Sequence, residues 1–148
     1  MIWSERLGNL SWMSAENKND EPCPCGSGKS YASCCGALHQ RFAADGTLGA
    51  TSAEALMRSR YSAYVRDELA YLLATWHVST RPADLAPNEA GLKWLGLEVR
   101  RHLSPDADHA SVEFVARSKL GGRAHRLHEI SRFVREDGSW YYLDGELR

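Results

Sequence analysis

Leu127-His-Glu-Ile-Ser-Arg-Phe-Val-Arg-Glu-Asp-Gly-Ser-Trp-Tyr-Tyr-Leu-Asp-Gly145 has the pattern of a β-hairpin. Leu127, Glu129, Ser131 and Phe133 alternate with His128, Ile130, Arg132 and Val134, which is the period of a strand with two unlike faces. Asp137-Gly138 is a two-residue turn signal, and Trp140 to Leu143 is a short aromatic strand on its far side. Upstream, Val112, Phe114 and Ala116 alternate with Glu113, Val115 and Arg117, and Leu95, Leu97 and Val99 with Gly96, Glu98 and Arg100. Gly121-Gly122 and Ser104-Pro105-Asp106 punctuate these runs. From Trp94 onward the pattern therefore predicts four antiparallel strands in chain order.

Before Trp94 the period is 3.6. Thr51-Ser52-Ala53-Glu54 reads as a capping box opening a helix, with the Thr51 hydroxyl on an orphan amide. Ala53, Met57, Arg60, Tyr61 and Tyr64 share one face of that helix, and Glu54 and Arg58 form an i,i+4 pair. Asp67 is placed to cap a second helix carrying Leu69, Leu72, Leu73 and Trp76, closed by His77 and stopped by Arg81-Pro82. Residues 83–93 have room for one more helical turn. Helices followed by a meander give an α+β domain with helices on one sheet face.

The chain's four cysteines lie in one run, Cys23-Pro-Cys25-Gly-Ser-Gly-Lys-Ser-Tyr-Ala-Ser-Cys34-Cys35. Four thiolates close a tetrahedral zinc shell, which is the arrangement of a structural site. Gly26 and Gly28 permit the backbone reversal that brings the pairs together. Two disulfides are the competing reading, although adjacent Cys34 and Cys35 would form a strained ring and no secretory signal precedes them. A phosphate loop fails, because Cys23 stands where that motif needs glycine.

The length of 148 residues allows one domain and a small appendage, and 43% hydrophobic with 25% charged residues predicts a packed core. A net charge of −1 gives no drive toward nucleic acid or anionic membrane. No run approaches the length of a membrane span. The chain reads as soluble and cytoplasmic, in a reducing compartment that leaves thiolates free for metal. Residues 1–20 read as a flexible tail containing an alternative start at Met13, residues 21–39 as the knuckle, and 40–50 as a small-residue linker.

Cys23-Pro-Cys25-Gly-Ser-Gly-Lys29-x-Tyr31-x-x-Cys34-Cys35-Gly resembles the SEC-C motif, best known at the C-terminus of the preprotein translocase motor ATPase, where it binds zinc and contacts partner proteins. From Thr51 on, the chain is similar to the YchJ-like family of uncharacterised bacterial proteins. The matching stretches are Ala55-Leu-Met-Arg-Ser-Arg-Tyr-Ser-Ala-Tyr64, Tyr71-Leu-Leu-Ala-Thr-Trp-His77 and the hairpin quoted at the outset. That resemblance implies a nuclear-transport-factor-2-like (NTF2-like, cystatin-like) cone over residues 51–148, with helices packed into the concave face of a curved sheet. It supplies no reaction. Some members carry a second cysteine cluster, which this sequence does not contain.

Cones of this kind often hold a pocket between helices and sheet. Arg60, on the apolar helix face, needs a partner if buried, and Glu129 or Asp144 is the natural counterion. Arg60, Tyr64, Glu129 and Asp144 then form either a polar pocket floor or a satisfied core salt bridge. His77 is either an acid–base residue or a C-terminal helix cap. Trp76, Trp94, Trp140, Tyr141 and Tyr142 either stack on a planar ligand or pack the core. No Ser-His-Asp order, metal-binding histidine pair or second glycine loop appears, so no catalytic residue is assigned and the pattern leans away from an enzyme. The sequence favours a zinc-knuckle adaptor that presents Lys29, Ser30 and Tyr31 to a protein partner. The rival is a small-ligand receptor or enzyme built on the cone pocket. RNA contact through Lys29 and Arg41 is a poor third, and a homodimer through the open sheet face is left open.

Overall fold

The computed structural model describes residues 21–148; the tail expected over residues 1–20, with Met13, lies outside them. A 3-10 turn (Tyr31–Ser33) leads into α1 (Cys35–Asp45), α2 (Ala53–Arg66) and α3 (Leu69–Ala74). Strands β1 (Lys93–Leu103), β2 (His109–Leu120), β3 (Arg123–Glu136) and β4 (Ser139–Leu147) follow. They form one antiparallel sheet in the order β1-β2-β3-β4, the meander read from the sequence. At the β3–β4 turn Asp137 and Gly138 both take the left-handed region, with φ of 51° and 80°, which matches the right-handed twist of the hairpin they join.

Val112, Phe114 and Ala116 of β2 and Phe133 of β3 bury one sheet face against Leu56, Met57 and Tyr61 of α2. Leu97 and Val99 of β1 pack on the rim of this core. Leu95 departs from the expected alternation and is 57% exposed. The register of β1 against β2 slips between Trp94 and Gly96, and this bulge turns Trp94 inward in its place. Val115, expected on the outward row, is fully buried on the opposite sheet face.

The helical half departs from expectation at its ends. Ser52, not Thr51, caps α2: its Oγ accepts from the Ala55 amide at 3.0 Å. Asp67 closes α2 rather than opening α3. It sits in the left-handed region (φ 57°), and its Oδ1 accepts from the Asn88 amide. Helix α3 stops at Ala74, short of Trp76 and His77. Trp76 instead forms a parallel bridge with Tyr142, and the His77 amide donates to the Tyr142 carbonyl at 2.7 Å, so the chain runs extended beside β4. No helical turn forms over residues 83–93. Helix α1 continues to Asp45, where Gly46 ends it with φ 80°, so residues 40–45 of the expected linker are helical.

Helix α2 is buried on nearly all sides. Met57, Arg60 and Tyr61 turn toward the sheet, while Ser59, Ser62 and Ala63 allow α1, α3 and the cysteine segment to approach closely.

Candidate metal centre and cavity

The cysteine segment is held by its own backbone. The Cys23 amide donates to the Lys29 carbonyl at 2.9 Å, and Pro22 bridges Ser30. Gly26 and Gly28, at φ of 78° and 85°, make the reversal between them. The 3-10 turn, capped by the Ser30 hydroxyl, then returns Cys34 and Cys35 to the first pair. All four sulfur atoms lie within 4.8 Å of one another, and Cys25 Sγ is 3.7 Å from Cys34 Sγ. A tetrahedral four-thiolate site with zinc–sulfur bonds of about 2.3 Å separates its sulfurs by about 3.8 Å, so the cluster fits a metal ion. No disulfide joins any pair.

The electrostatics also suit a cation. Thiol donation from Cys25 and Cys35 holds Cys23 far below the usual thiol range, and the same bonds push Cys25 and Cys35 up. A bound cation takes the place of those protons. Ser62 of α2 lies 3.5 Å from Cys23 Sγ, and Ser27 lies 3.2 Å from Cys34 Sγ. Cys23, Cys25 and Cys35 are buried and Cys34 is half-buried.

The knuckle is docked directly on α2. Arg58, held at Nε by Glu54 at 3.0 Å, donates from Nη1 to the Cys25 carbonyl at 2.8 Å. Of the three expected contact residues, Lys29 alone is exposed. Ser30 is half-buried and serves as a cap. Tyr31 is buried: its hydroxyl bonds His39 Nδ1 at 2.6 Å, and the Arg66 guanidinium lies 4.1 Å from its ring centre. Because His39 Nε2 faces the Ser59 carbonyl at 2.9 Å, that nitrogen carries the proton, and Nδ1 accepts from Tyr31. Burial holds His39 below the usual imidazole range and pushes Tyr31 up to about 12.

Between α2 and the sheet lies a cavity of about 310 Å³. Arg60, Tyr64, Glu129 and Ser131 contribute its polar groups, and Phe114, Phe133, Trp94 and Tyr142 are among its aromatic walls. Arg60 and Glu129 do not form the expected ion pair. Arg60 Nη1 donates to the Leu72 carbonyl and to Thr75 Oγ1, each at 2.7 Å. Its guanidinium lies between Trp76 and Tyr142, 5.0 and 4.7 Å from their ring centres. Glu129 accepts from the Ser131 hydroxyl and packs against Gly145. Burial pulls Arg60 down and pushes Tyr142 up to about 12.

The remaining candidates lie outside the cavity lining. Asp144 is bound bidentately by Arg132, at 2.7 and 2.8 Å, on the outer sheet face. Trp140 is a core residue, and Trp76 reaches the cavity only as one side of the sandwich around Arg60. His77 Nε2 pairs with Glu136 at 2.8 Å at the surface. His128 turns away from Glu129, as the alternation requires, and bonds Glu113 across the strand at 2.6 Å. Sequence reasoning found the Glu54–Arg58 pair but not the reach of Arg58 to the knuckle, and it missed Ser62, His39 and Thr75. His39 follows Cys35 by four positions, one helical turn, which is the signal that would have found it.

Residues 52–145 match the family model described as YchJ, middle NTF2-like domain, and residues 21–37 match the SEC-C motif. The chain belongs to the YchJ family. A UPF0225 protein of Methylibium petroleiphilum is 62% identical over 85% of this chain and 88% of its own length. One from Bordetella pertussis is 56% identical over 85% and 92%. Two solved SEC-C motif containing proteins share the fold. The Rhodopseudomonas palustris solution structure aligns with a TM-score of 0.70 at 35% identity, covering 84% of this chain and 96% of that one. The Psychrobacter arcticus crystal structure aligns with a TM-score of 0.71 at 28% identity, covering 88% and 85%. This chain thus joins an NTF2-like domain to a SEC-C cysteine cluster. Among the described residues no helix is long and apolar enough to cross a membrane.

Proposed function

We propose that the protein binds a small molecule in its NTF2-like cone, and that its knuckle holds one structural zinc ion. The observation that carries the first part is Arg60, a buried guanidinium on the wall of a largely aromatic cavity, with only neutral acceptors among the described residues. A buried charge without a counterion costs stability, and such groups concentrate where a ligand completes them. The cavity volume of about 310 Å³ is at the small end of ligand pockets. The zinc assignment is supported by the all-thiolate donor set, which suits that soft-ligand tetrahedral ion and leaves no position for substrate. The metal is then structural, and the unpaired thiols fit a reducing, cytoplasmic setting.

Native mass spectrometry of protein purified without chelator tests both parts. One zinc per chain is expected, together with a small molecule released on denaturation and depleted in Arg60→Lys. Metal-free protein with two disulfides would sink the zinc assignment. Protein that retains no molecule, and binds none from a fragment library, would sink the receptor reading.

The adaptor reading retains one supporting feature, the exposed tip Gly26 to Lys29. Tyr31 is removed from it by burial. Cross-linked pull-downs with wild type and Lys29→Ala check it: identical partner lists would count against it.

A further inference from the structure

The cavity under α2 also restricts the class of molecule it takes, a step that rests on the small-molecule reading above. Its volume of about 310 Å³ is roughly twice that of an apolar void that accepts benzene, so one or two fused rings fit. Aromatic faces on several sides (Phe114, Phe133, Trp94 and Tyr142) favour a flat guest.

The polar groups then set its charge and edge chemistry. Arg60 contributes one positive charge and Glu129 one negative charge, and no ion pair joins them among the described residues. The lining is therefore neutral in sum. An anionic guest would leave Glu129 uncompensated and a cationic guest would leave Arg60 so, whereas a neutral guest leaves the sum at zero.

One side chain in the lining still has donors to give. On Arg60 only Nη1 is engaged, leaving Nε and Nη2 without partners among the described residues. On the other side, the Glu129 carboxylate accepts from Ser131 alone, and has room for a further N–H. A flat ring bearing a carbonyl and an N–H on its edge answers both. We propose that the cavity binds a neutral, planar heteroaromatic lactam, its carbonyl accepting from the free side of Arg60 and its ring N–H donating to Glu129.

Three two-ring probes of similar size test this by isothermal titration calorimetry: quinazolin-4(3H)-one, its 3-methyl derivative, which lacks the N–H, and 2-naphthoate. The lactam should bind wild-type protein roughly tenfold or more tightly than either of the others. Arg60→Met should weaken the lactam by about the same factor, and Glu129→Gln should move the preference toward 2-naphthoate, with thermal midpoint and zinc content showing both variants folded. Equal affinity for the lactam and its methyl derivative, tighter binding of 2-naphthoate by wild type, or indifference to both substitutions would overturn the lactam assignment and leave a ligand cavity standing. No binding of any probe at millimolar concentration would remove the small-molecule reading as well.

Discussion

Gly36 occupies the first turn of α1, and a Cβ built there would lie 2.5 Å from the Tyr31 carbonyl oxygen and 2.8 Å from its ring. Alanine is normally the better helix former by about 1 kcal/mol. Here the obstruction is backbone that cannot swing away, so Gly36→Ala should destabilise the protein by about 1–3 kcal/mol in urea unfolding and weaken metal retention. Arg60 makes a different prediction. Truncation in Arg60→Ala strips two buried hydrogen bonds and opens a void, at a cost of about 2–4 kcal/mol. Arg60→Met keeps the volume and sheds a desolvated charge, so its loss should be less than half as large. Similar losses from both would assign Arg60 a purely structural part. His39 sets a pH dependence. Its folded value lies below the unfolded value of about 6.5, so the unfolded chain binds the proton first. Its contribution is intact above pH 6.5 and is lost as pH falls through the folded value. Urea midpoints from pH 8 to 5 should therefore fall less steeply in His39→Gln than in wild type.

At the scale of elements, strands were far more legible than helix ends. Period-2 alternation and glycine turns give the four strands and their order, because each strand carries its whole signal within itself. Leu95 was misplaced because a bulge is set by pairing with β2, which β1 alone does not encode. Trp76 and His77 continued an apolar helical period and yet left the helix. The backbone bonds that hold them extended, from the Tyr142 amide to the Thr75 carbonyl and from the His77 amide to the Tyr142 carbonyl, join residues far apart in sequence, beyond any local pattern. The cysteine cluster was legible from spacing alone, whereas its docking on α2 through Ser62 and Arg58 was not. That docking makes α2 common to both sites, with the knuckle on one side and the cavity on the other. Cys25→Ser, at a fully buried ligand, should abolish tight metal retention in a chromophoric zinc-release assay and also broaden the amide signals of α2, not only those of the knuckle.

For the molecule as a whole, the knuckle and cone share buried contacts, so a metal ion held by the four cysteines would stabilise the whole fold. A strong chelator should lower the thermal midpoint, by about 2–8 °C for each kcal/mol of binding energy withdrawn, and added zinc should restore it. A midpoint unmoved by chelation in metal-loaded protein would mean that the knuckle comes away without cost to the cone. An open sheet also leaves two edges, β1 and β4. The β4 edge is partly covered where Trp76 bridges Tyr142. The β1 edge carries two register slips, one at Trp94/Gly96 and another at Val99/Arg101, with Arg100, Arg101 and His102 beside the second. A twice-kinked border offers no straight template to an incoming strand, which opposes edge-to-edge pairing there. The bulge that turned Trp94 toward the cavity thereby also guards the protein against polymerising through its own sheet.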